Sequence, residues 1–302
     1  MHDIKSNFDK VCQTIKSLNL PLFDENGNIY KPGRKSLFSD LQVISLALTA
    51  EFMSLDSENW LFKKIKSDYA DHFPGLIDRS RYNRRRRALF NIMENVRGEL
   101  VAHFNRFEDC FIVDSMPLEV CKLSREKRAK VCRETYQTAP DKGFCATQKM
   151  YFYGYKLHGV CSVNGIFHAI ELSQASVHDI TFLKDVKAQL SDCLIIGDRG
   201  YLSSSLQLDL FTTANIRLNT PMRRNQINYK PQEPVFRKTR KRIETLFSQL
   251  CDQFMIRRNY AKSFSGFRAR ILSKITAMTL VQFINKFEFD RPINNLKVSI
   301  TN

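Results

Sequence analysis

The chain has 302 residues, of which 47 are Lys or Arg and 31 are Asp or Glu, and its formal net charge is +16. Because 43% of the residues are hydrophobic, the chain can bury a core, which excludes a wholly disordered protein. The basic excess predicts an acidic partner, and we expect nucleic acid rather than a membrane, because no apolar stretch approaches the ~20 residues that span a bilayer.

The N-terminus and the cysteines bear on the compartment. Met1–Phe8 contains acidic side chains and no hydrophobic block, so we predict that it is not a signal peptide. The eight cysteines form no C-x-x-C pair, which is typical of reduced thiols. We therefore expect an intracellular, cytoplasmic protein that associates with the nucleoid when it is bound to DNA.

Residues 1–108 predict a helical domain. Ser39 followed by Gln42 fits a capping box, and an apolar segment from Leu41 to Leu55 follows it. Helical spacing also predicts helices at Trp60–Tyr69 and at Asn83–Phe104. Several short helices with an arginine cluster resemble a small DNA-binding module, for which a helix-turn-helix is plausible although no turn signature is sharp enough to assert it.

An arginine cluster lies within this domain, with six arginines in the nine residues from Arg79 to Arg87. Arginine suits bidentate contacts to phosphate, so we expect Arg84, Arg85, Arg86 and Arg87 to bind the DNA backbone. The alternative is a solvated helix face that nearby acidic residues balance.

Beyond Glu108 the pattern changes to short β-branched and aromatic runs. Tyr151–Val163 and Ile166–Ser173 are joined by Asn164-Gly165, the strongest short-range signal of a β-hairpin. Residues 119–149 are polar and predict a loop with some helix. A helix is predicted at Asp179–Leu190, with Asp179 as its N-cap.

Two short apolar strands lead into an aspartate. Phe111–Val113 is predicted to end at Asp114, and Cys193–Ile196 is followed, after Gly197, by Asp198. Carboxylates at the ends of core strands lie on the rim of the sheet, where α/β folds commonly bind ligands.

The basic excess is concentrated in residues 221–274, which contain 14 basic and 3 acidic residues. A helix is predicted from about Val235, and its apolar residues recur at helical spacing from Ile243 to Leu250. Glu244 lies beside that stripe and can point toward the strand ends. A further helix is predicted at Phe267–Phe287.

Convergence of Asp114, Asp198 and Glu244 would make an oxygen-rich site that suits Mg²⁺ or Mn²⁺. Two such ions can activate a water or a 3′-hydroxyl in phosphoryl transfer. The alternative is that the two aspartates are turn or cap residues and that Glu244 is a solvated helix acid.

Four sequence strings together resemble the RNase H-like catalytic domain of DDE transposases from bacterial insertion sequences, over about residues 109–285. The strings are Ile112–Pro117 (IVDSMP), Tyr153–Gly159 (YGYKLHG), Ile196–Tyr201 (IGDRGY) and Arg240–Leu250 (RKRIETLFSQL). The run Arg79–Arg85 also looks like the N-terminal part of such transposases.

The resemblance implies a fold, a site and an activity. The fold class is α/β: an RNase H-like mixed sheet flanked by helices at residues 109–290, after a helical DNA-binding domain at 1–108 and before a tail at 291–302. Asp114, Asp198 and Glu244 would be the catalytic and metal-binding triad, holding two Mg²⁺ or Mn²⁺ ions. The enzyme would cleave transposon-end DNA and join the 3′-hydroxyl to target DNA.

DNA would also contact the basic helix that carries Glu244. We expect contacts from Arg237, Lys238, Arg240 and Lys241, with Arg240 one helical turn before Glu244. In several related families a Tyr and a Lys stand where this chain has Arg237 and Cys251, so the auxiliary contacts of those relatives do not transfer. Pairing two DNA ends implies a homodimer or higher oligomer.

Two alternatives to a transposase stay open. One is a metal-dependent nuclease of the same fold that hydrolyses DNA without strand transfer. The other is a transposase-derived DNA-binding protein that no longer catalyses, although the complete triad argues against it.

Overall fold

A computed structural model describes residues 3–104, 108–146, 148–226 and 229–301. The chain forms two compact units, each with its own core. The first contains Met1–His103, Leu250–Ala261 and Ser265–Asn302, and the second contains Phe104–Gln249 and Lys262–Phe264. The domain boundaries expected from the sequence stay a prediction.

The first unit is helical. Its helices are α1 (Ile4–Ser17), α2 (Asp40–Phe52), α3 (Glu58–Asp68), α4 (Arg79–Ala88), α5 (Phe90–Ala102) and most of α9 (Phe264–Phe283), which a π-helical turn extends (Ile284–Glu288). The single helix expected at Asn83–Phe104 is instead the pair α4 and α5, with a break at Leu89.

Helix α2 shows why these segments are helical. The Gln42 amide donates to the Ser39 hydroxyl at 3.2 Å, and the Ser39 amide donates to the Gln42 side chain at 2.8 Å. The predicted capping box is therefore confirmed. Eleven of the thirteen α2 residues are buried, so tertiary packing surrounds the helix rather than covering one stripe.

The second unit is built on a six-stranded mixed sheet. Its strands are β1 (Cys110–Cys121), β2 (Asp141–Cys145), β3 (Met150–Ser162), β4 (Phe167–Gln174), β5 (Leu194–Ile196) and β6 (Arg217–Asn219). Strand β3 pairs antiparallel with β1 on one edge and with β2 and β4 on the other. Strands β5 and β6 continue the sheet beyond β1 in parallel. The predicted Asn-Gly hairpin is confirmed as β3 and β4.

Strand β1 is longer than the sequence predicted. It does not end at Asp114 but continues to Cys121, paired with β3 over most of this length. The sequence did not predict that β1 continues past Asp114, because Pro117 cannot donate a hydrogen bond to a sheet ladder. The β5 pairing covers only Cys110–Ile112, which leaves the second edge of β1 open at Pro117. The loop predicted at residues 119–149 likewise contains the end of β1 and all of β2.

Helices cover the sheet of this unit. Helices α6 (Ile180–Val186) and α7 (Ser204–Ala214) contribute to a core cluster with Phe111, Val113 and Val160. Helix α8 (Pro234–Asp252) buries Ile243, Leu246 and Leu250 completely. Across the part of the chain that the structure describes, no helix is both long and apolar enough to cross a membrane.

Candidate active site

Asp114 lies in the middle of β1, on the sheet face opposite to Val113. Val113 belongs to the α6 and α7 core, and side chains alternate between faces along a strand, so Asp114 points to the other face. Across the ladder its partner is Gly159, where an added Cβ would lie 3.7 Å from the Phe247 ring. Helix α8 therefore packs on the face that carries Asp114.

Asp198 is brought beside Asp114 by the parallel pairing of β1 and β5. Ile112 is the partner of Ile196, and the two aspartates each follow this pair by two residues. The Asp198 carboxylate accepts a hydrogen bond from the Gly200 amide at 2.8 Å, which fixes the turn after the strand. This parallel register places the carboxylates of Asp114 and Asp198 at the same level of the sheet.

Glu244 is supplied by α8 and is exposed. It lies one helical turn before Phe247 and one turn after Arg240, so the three side chains share one side of the helix. Phe247 packs on Phe167 of β4, with ring centroids 5.8 Å apart. This contact anchors the Glu244 side of α8 over the sheet.

Asp114 is electrostatically the most perturbed of the three carboxylates. Burial is the largest of the effects that raise the pKa of Asp114 to about 7, and the negative charges of Asp198 and Glu244 act in the same direction. A hydrogen bond from the Ser115 amide at 2.8 Å and the charge of Arg240 act in the opposite direction. Burial and the neighbouring carboxylates therefore outweigh the groups that stabilise the charged form of Asp114.

The donor chemistry fits a hard divalent cation, because the charges of two carboxylates act on a third and carboxylate oxygens are the ligands that such ions prefer. Within residues 3–104, 108–146, 148–226 and 229–301, however, no three Asp, Glu, His or Cys side chains are grouped closely enough to hold a metal ion. The structure brings Asp114, Asp198 and Glu244 into electrostatic range without forming a closed ligand set.

A fourth carboxylate, Asp179, adjoins the site. An added Cβ at Gly200 would lie 2.9 Å from the Asp198 carboxylate and 3.8 Å from that of Asp179. Asp179 precedes α6, but its side chain does not cap the helix as predicted. It pairs instead with Lys156 at 2.9 Å, and Lys156 also donates to the Val177 carbonyl at 2.8 Å.

Two further buried side chains surround this pair. The His158 ring lies 2.7 Å from the Ser173 hydroxyl, and burial lowers the pKa of His158 to about 4, which keeps it neutral. Tyr201 is fully buried, and burial together with Asp179 raises its pKa well above the usual value. Both observations favour packing roles for His158 and Tyr201.

Lys156 was missed as a site residue, although it lies within the YGYKLHG string.

The arginines of α4 have different environments. Arg85 donates to Asp40 at 2.6 Å, and buried Arg86 pairs with Glu58 at 3.0 Å. Arg84 is exposed, and Arg87 is half-buried. The structure thus engages Arg85 and Arg86 inside the first unit and leaves Arg84 open to an external anion.

Arg86 also belongs to a buried charge cluster. Lys274 donates to Glu51, and Arg270 lies 3.7 Å from the same carboxylate. Burial lowers the pKa of Lys274, and Glu51 opposes that effect. A cluster of this kind requires every member to be paired, because one unpaired buried charge is strongly destabilising.

The basic residues at the start of α8 are mostly open to solvent. Arg237, Lys238 and Lys241 are exposed. Arg240 is half-buried, and its Nε is buried without a hydrogen-bond partner among the residues described. Its charge acts on Asp114, so this arginine lies next to the candidate site.

A family model described as the transposase DDE domain matches residues 105–280, which is more than half of the chain. The chain therefore belongs to the transposase DDE domain family, as the sequence strings predicted. The match contains all three candidate carboxylates, and the family implies a transposase that acts on DNA. A search of curated proteins and a search of solved structures found no match.

Proposed function

We propose that the chain binds transposon-end DNA, cleaves it and joins the freed 3′-hydroxyl to target DNA. Asp114, Asp198 and Glu244 are the catalytic residues of this proposal, and they would hold two Mg²⁺ or Mn²⁺ ions. The observation that supports it is that the register of β1 and β5 brings Asp198 beside Asp114, and that the charges of both Asp198 and Glu244 act on Asp114.

Divalent ions bound there would activate the attacking water or hydroxyl and stabilise the leaving oxygen. The protein's own residues set the geometry. Strand β1 holds Asp114 rigidly, the Asp198–Gly200 turn orients the second carboxylate, and Phe247 anchors the helix that presents Glu244. Arg240 would contact the phosphate that approaches these carboxylates.

The strand arrangement supports an RNase H-like domain. Strands β4, β3 and β1 are antiparallel neighbours, and β5 and β6 follow β1 in parallel. In this arrangement the carboxylates come from a central strand, from the end of its parallel neighbour and from a helix that covers the sheet. Strand β2 is an addition to that set: it lies between β1 and β3 in the chain, and in the sheet it pairs with the edge of β3 opposite to β1.

DNA backbone contacts are proposed for the exposed basic residues. Arg237, Lys238 and Lys241 lie on the helix that carries Glu244, and Arg84 lies on α4. Arg85, Arg86 and Arg87 were expected to join them. Since Arg85 and Arg86 already pair with carboxylates, we assign the phosphate contact of this helix to Arg84.

The experiment is a cleavage and joining assay on DNA with candidate transposon ends in Mg²⁺ or Mn²⁺. Asp114→Asn, Asp198→Asn and Glu244→Gln are each expected to abolish cleavage while DNA binding persists. The matched control is Glu233→Gln, an exposed acid just before the same helix, which should retain activity.

The products separate the alternatives. Cleavage followed by a joined product supports the transposase, whereas cleavage without joining supports the nuclease. Binding without cleavage by the unaltered protein supports the DNA-binding protein that no longer catalyses. Full activity in any of the three carboxylate variants would contradict the assignment of the triad.

A further inference from the structure

The hairpin of β2 and β3 carries an exposed aromatic pair. Phe144 and Tyr151 are direct partners in the ladder, and their ring centroids lie 5.1 Å apart. Even so, Phe144 is 51% exposed and Tyr151 is 54% exposed. The Lys142 ammonium lies 4.8 Å from the centre of the Tyr151 ring.

Tyr153 lies on the same side of the hairpin as Phe144 and Tyr151. Tyr153 is the ladder partner of Lys142, and the Arg133 guanidinium donates to its hydroxyl at 2.7 Å and lies over its ring. Lys142, Phe144, Tyr151 and Tyr153 therefore share one face, which we name the hairpin face. On the opposite side, Gly143 packs against Ala175 with no space for a Cβ.

The chain segment that leads into the hairpin and forms it is strongly basic. Residues 122–149 contain eight basic and three acidic residues. All eight basic side chains are exposed: Lys122, Arg125, Lys127, Arg128, Lys130, Arg133, Lys142 and Lys149. Exposed rings beside cations are the combination that proteins use for nucleic acid bases and their phosphates.

The hairpin face lies on the same side of the sheet as the candidate active site. Tyr151 and Tyr153 are an even number of residues before Gly159, the partner of Asp114, so all of them belong to one face of β3. The separation from Tyr151 to Gly159 along the strand is about 26 Å. Tyr155, which lies between them on this face, is buried and packs on Phe264, so a DNA strand would run from the carboxylates to the hairpin over the outside of the elements that cover this face.

We propose that the hairpin face binds unpaired DNA bases by stacking them on Phe144 and Tyr151, while Lys142 and the neighbouring cations contact the phosphates. The proposal rests on the proposed function, in which DNA is the substrate. Bases inside a duplex already stack on each other, whereas unpaired bases offer a free face to an exposed ring. If Phe144 and Tyr151 served only to pair β2 with β3, their rings would not need to be half-exposed beside cations.

The test measures DNA binding by the full chain in EDTA, which removes any contribution from cleavage. The probes are a labelled single-stranded oligothymidine and a blunt duplex. Phe144→Val and Tyr151→Val suit a β-strand but remove the ring, and each should weaken single-strand binding by more than about fivefold. Duplex binding should change by less than about twofold.

Matched variants separate stacking from folding. Phe211 is 49% exposed on α7, so Phe211→Leu is the control and should leave single-strand binding unchanged. Tyr151→Phe retains the ring and should bind like the unaltered chain. Lys142→Gln should lower the slope of log affinity against log salt for the single strand by about 0.7.

The outcomes distinguish the stacking proposal from the proposed function on which it rests. If the unaltered chain binds neither DNA, the proposed function fails. If it binds DNA and both Val variants retain single-strand affinity, only the stacking proposal is overturned. Equal losses on duplex and single strand, in variants that melt like the unaltered chain, would also overturn it.

Discussion

Gly159 lies directly opposite Asp114 in the ladder between β1 and β3, and its lack of a side chain makes room for α8. An added Cβ would lie 2.7 Å from an edge carbon of the Phe167 ring, closer than real contacts allow. Phe167 in turn packs on Phe247. The missing side chain of Gly159 thus lets α8, which carries Glu244, pack close to the strand that holds Asp114.

Gly159→Ala should therefore affect activity more than folding. The Phe167 ring must move and push α8 outward, which we expect to cost about 1–3 kcal/mol of unfolding free energy. Chemical denaturation measures that loss, and the cleavage assay should show a further loss in protein that is still folded. The double variant Gly159→Ala/Phe167→Leu makes space and should recover part of both; no recovery would contradict this route.

Adjacent arginines on α4 should behave differently. Arg85→Met leaves buried Asp40 with the Ile29 amide and the exposed Lys31 ammonium as its remaining partners, so we expect the unfolding free energy to fall by about 3 kcal/mol. Arg84→Met should leave stability within about 0.5 kcal/mol and instead weaken DNA binding and flatten its salt dependence. An equal stability loss in both variants would contradict the distinction.

The effect of Arg85→Met should also depend on pH. Burial acts to raise the pKa of Asp40, but Arg85, together with the Ile29 amide and Lys31, outweighs it and holds that pKa below the ordinary 3.8. In the unaltered chain, Asp40 therefore contributes stability above pH 3.8 that is lost as the pH falls. Without Arg85, burial outweighs the Ile29 amide and Lys31, and protonation relieves the cost of the buried carboxylate, so the stability difference between the two proteins should shrink toward acid pH. Urea unfolding at neutral and acidic pH measures it.

Arg240 should matter for the chemical step more than for affinity. Its charge acts on Asp114, and its Nε has no hydrogen-bond partner in the described part of the chain. Arg240→Gln should slow cleavage by about 10²–10³-fold, in the range that loss of one charge-stabilising donor produces. Single-turnover rates at saturating DNA measure it. The control, Lys241→Gln on the exposed side of α8, should mainly weaken binding and lower the salt slope by about 1.

Much of the fold was predictable because local spacing encodes element type. The Ser39 and Gln42 pair predicted the start of α2, and Asn164-Gly165 predicted the turn between β3 and β4. The extension of β1 was not predictable, because Pro117 is tolerated only where the second edge of the strand lacks a neighbour. That condition depends on how far β5 extends, which is not a local property.

The same division applies to the site. The sequence by itself predicted the three carboxylates and determined the elements that carry them, because short buried strands followed by Asp and a lone Glu in a basic helix are local patterns. Tertiary structure alone decided the partners of the charges: Asp179 pairs with Lys156 rather than capping α6, and Arg85 pairs with Asp40. Charge partners depend on which distant segments the sheet and the helices bring together, and composition and spacing carry no record of that.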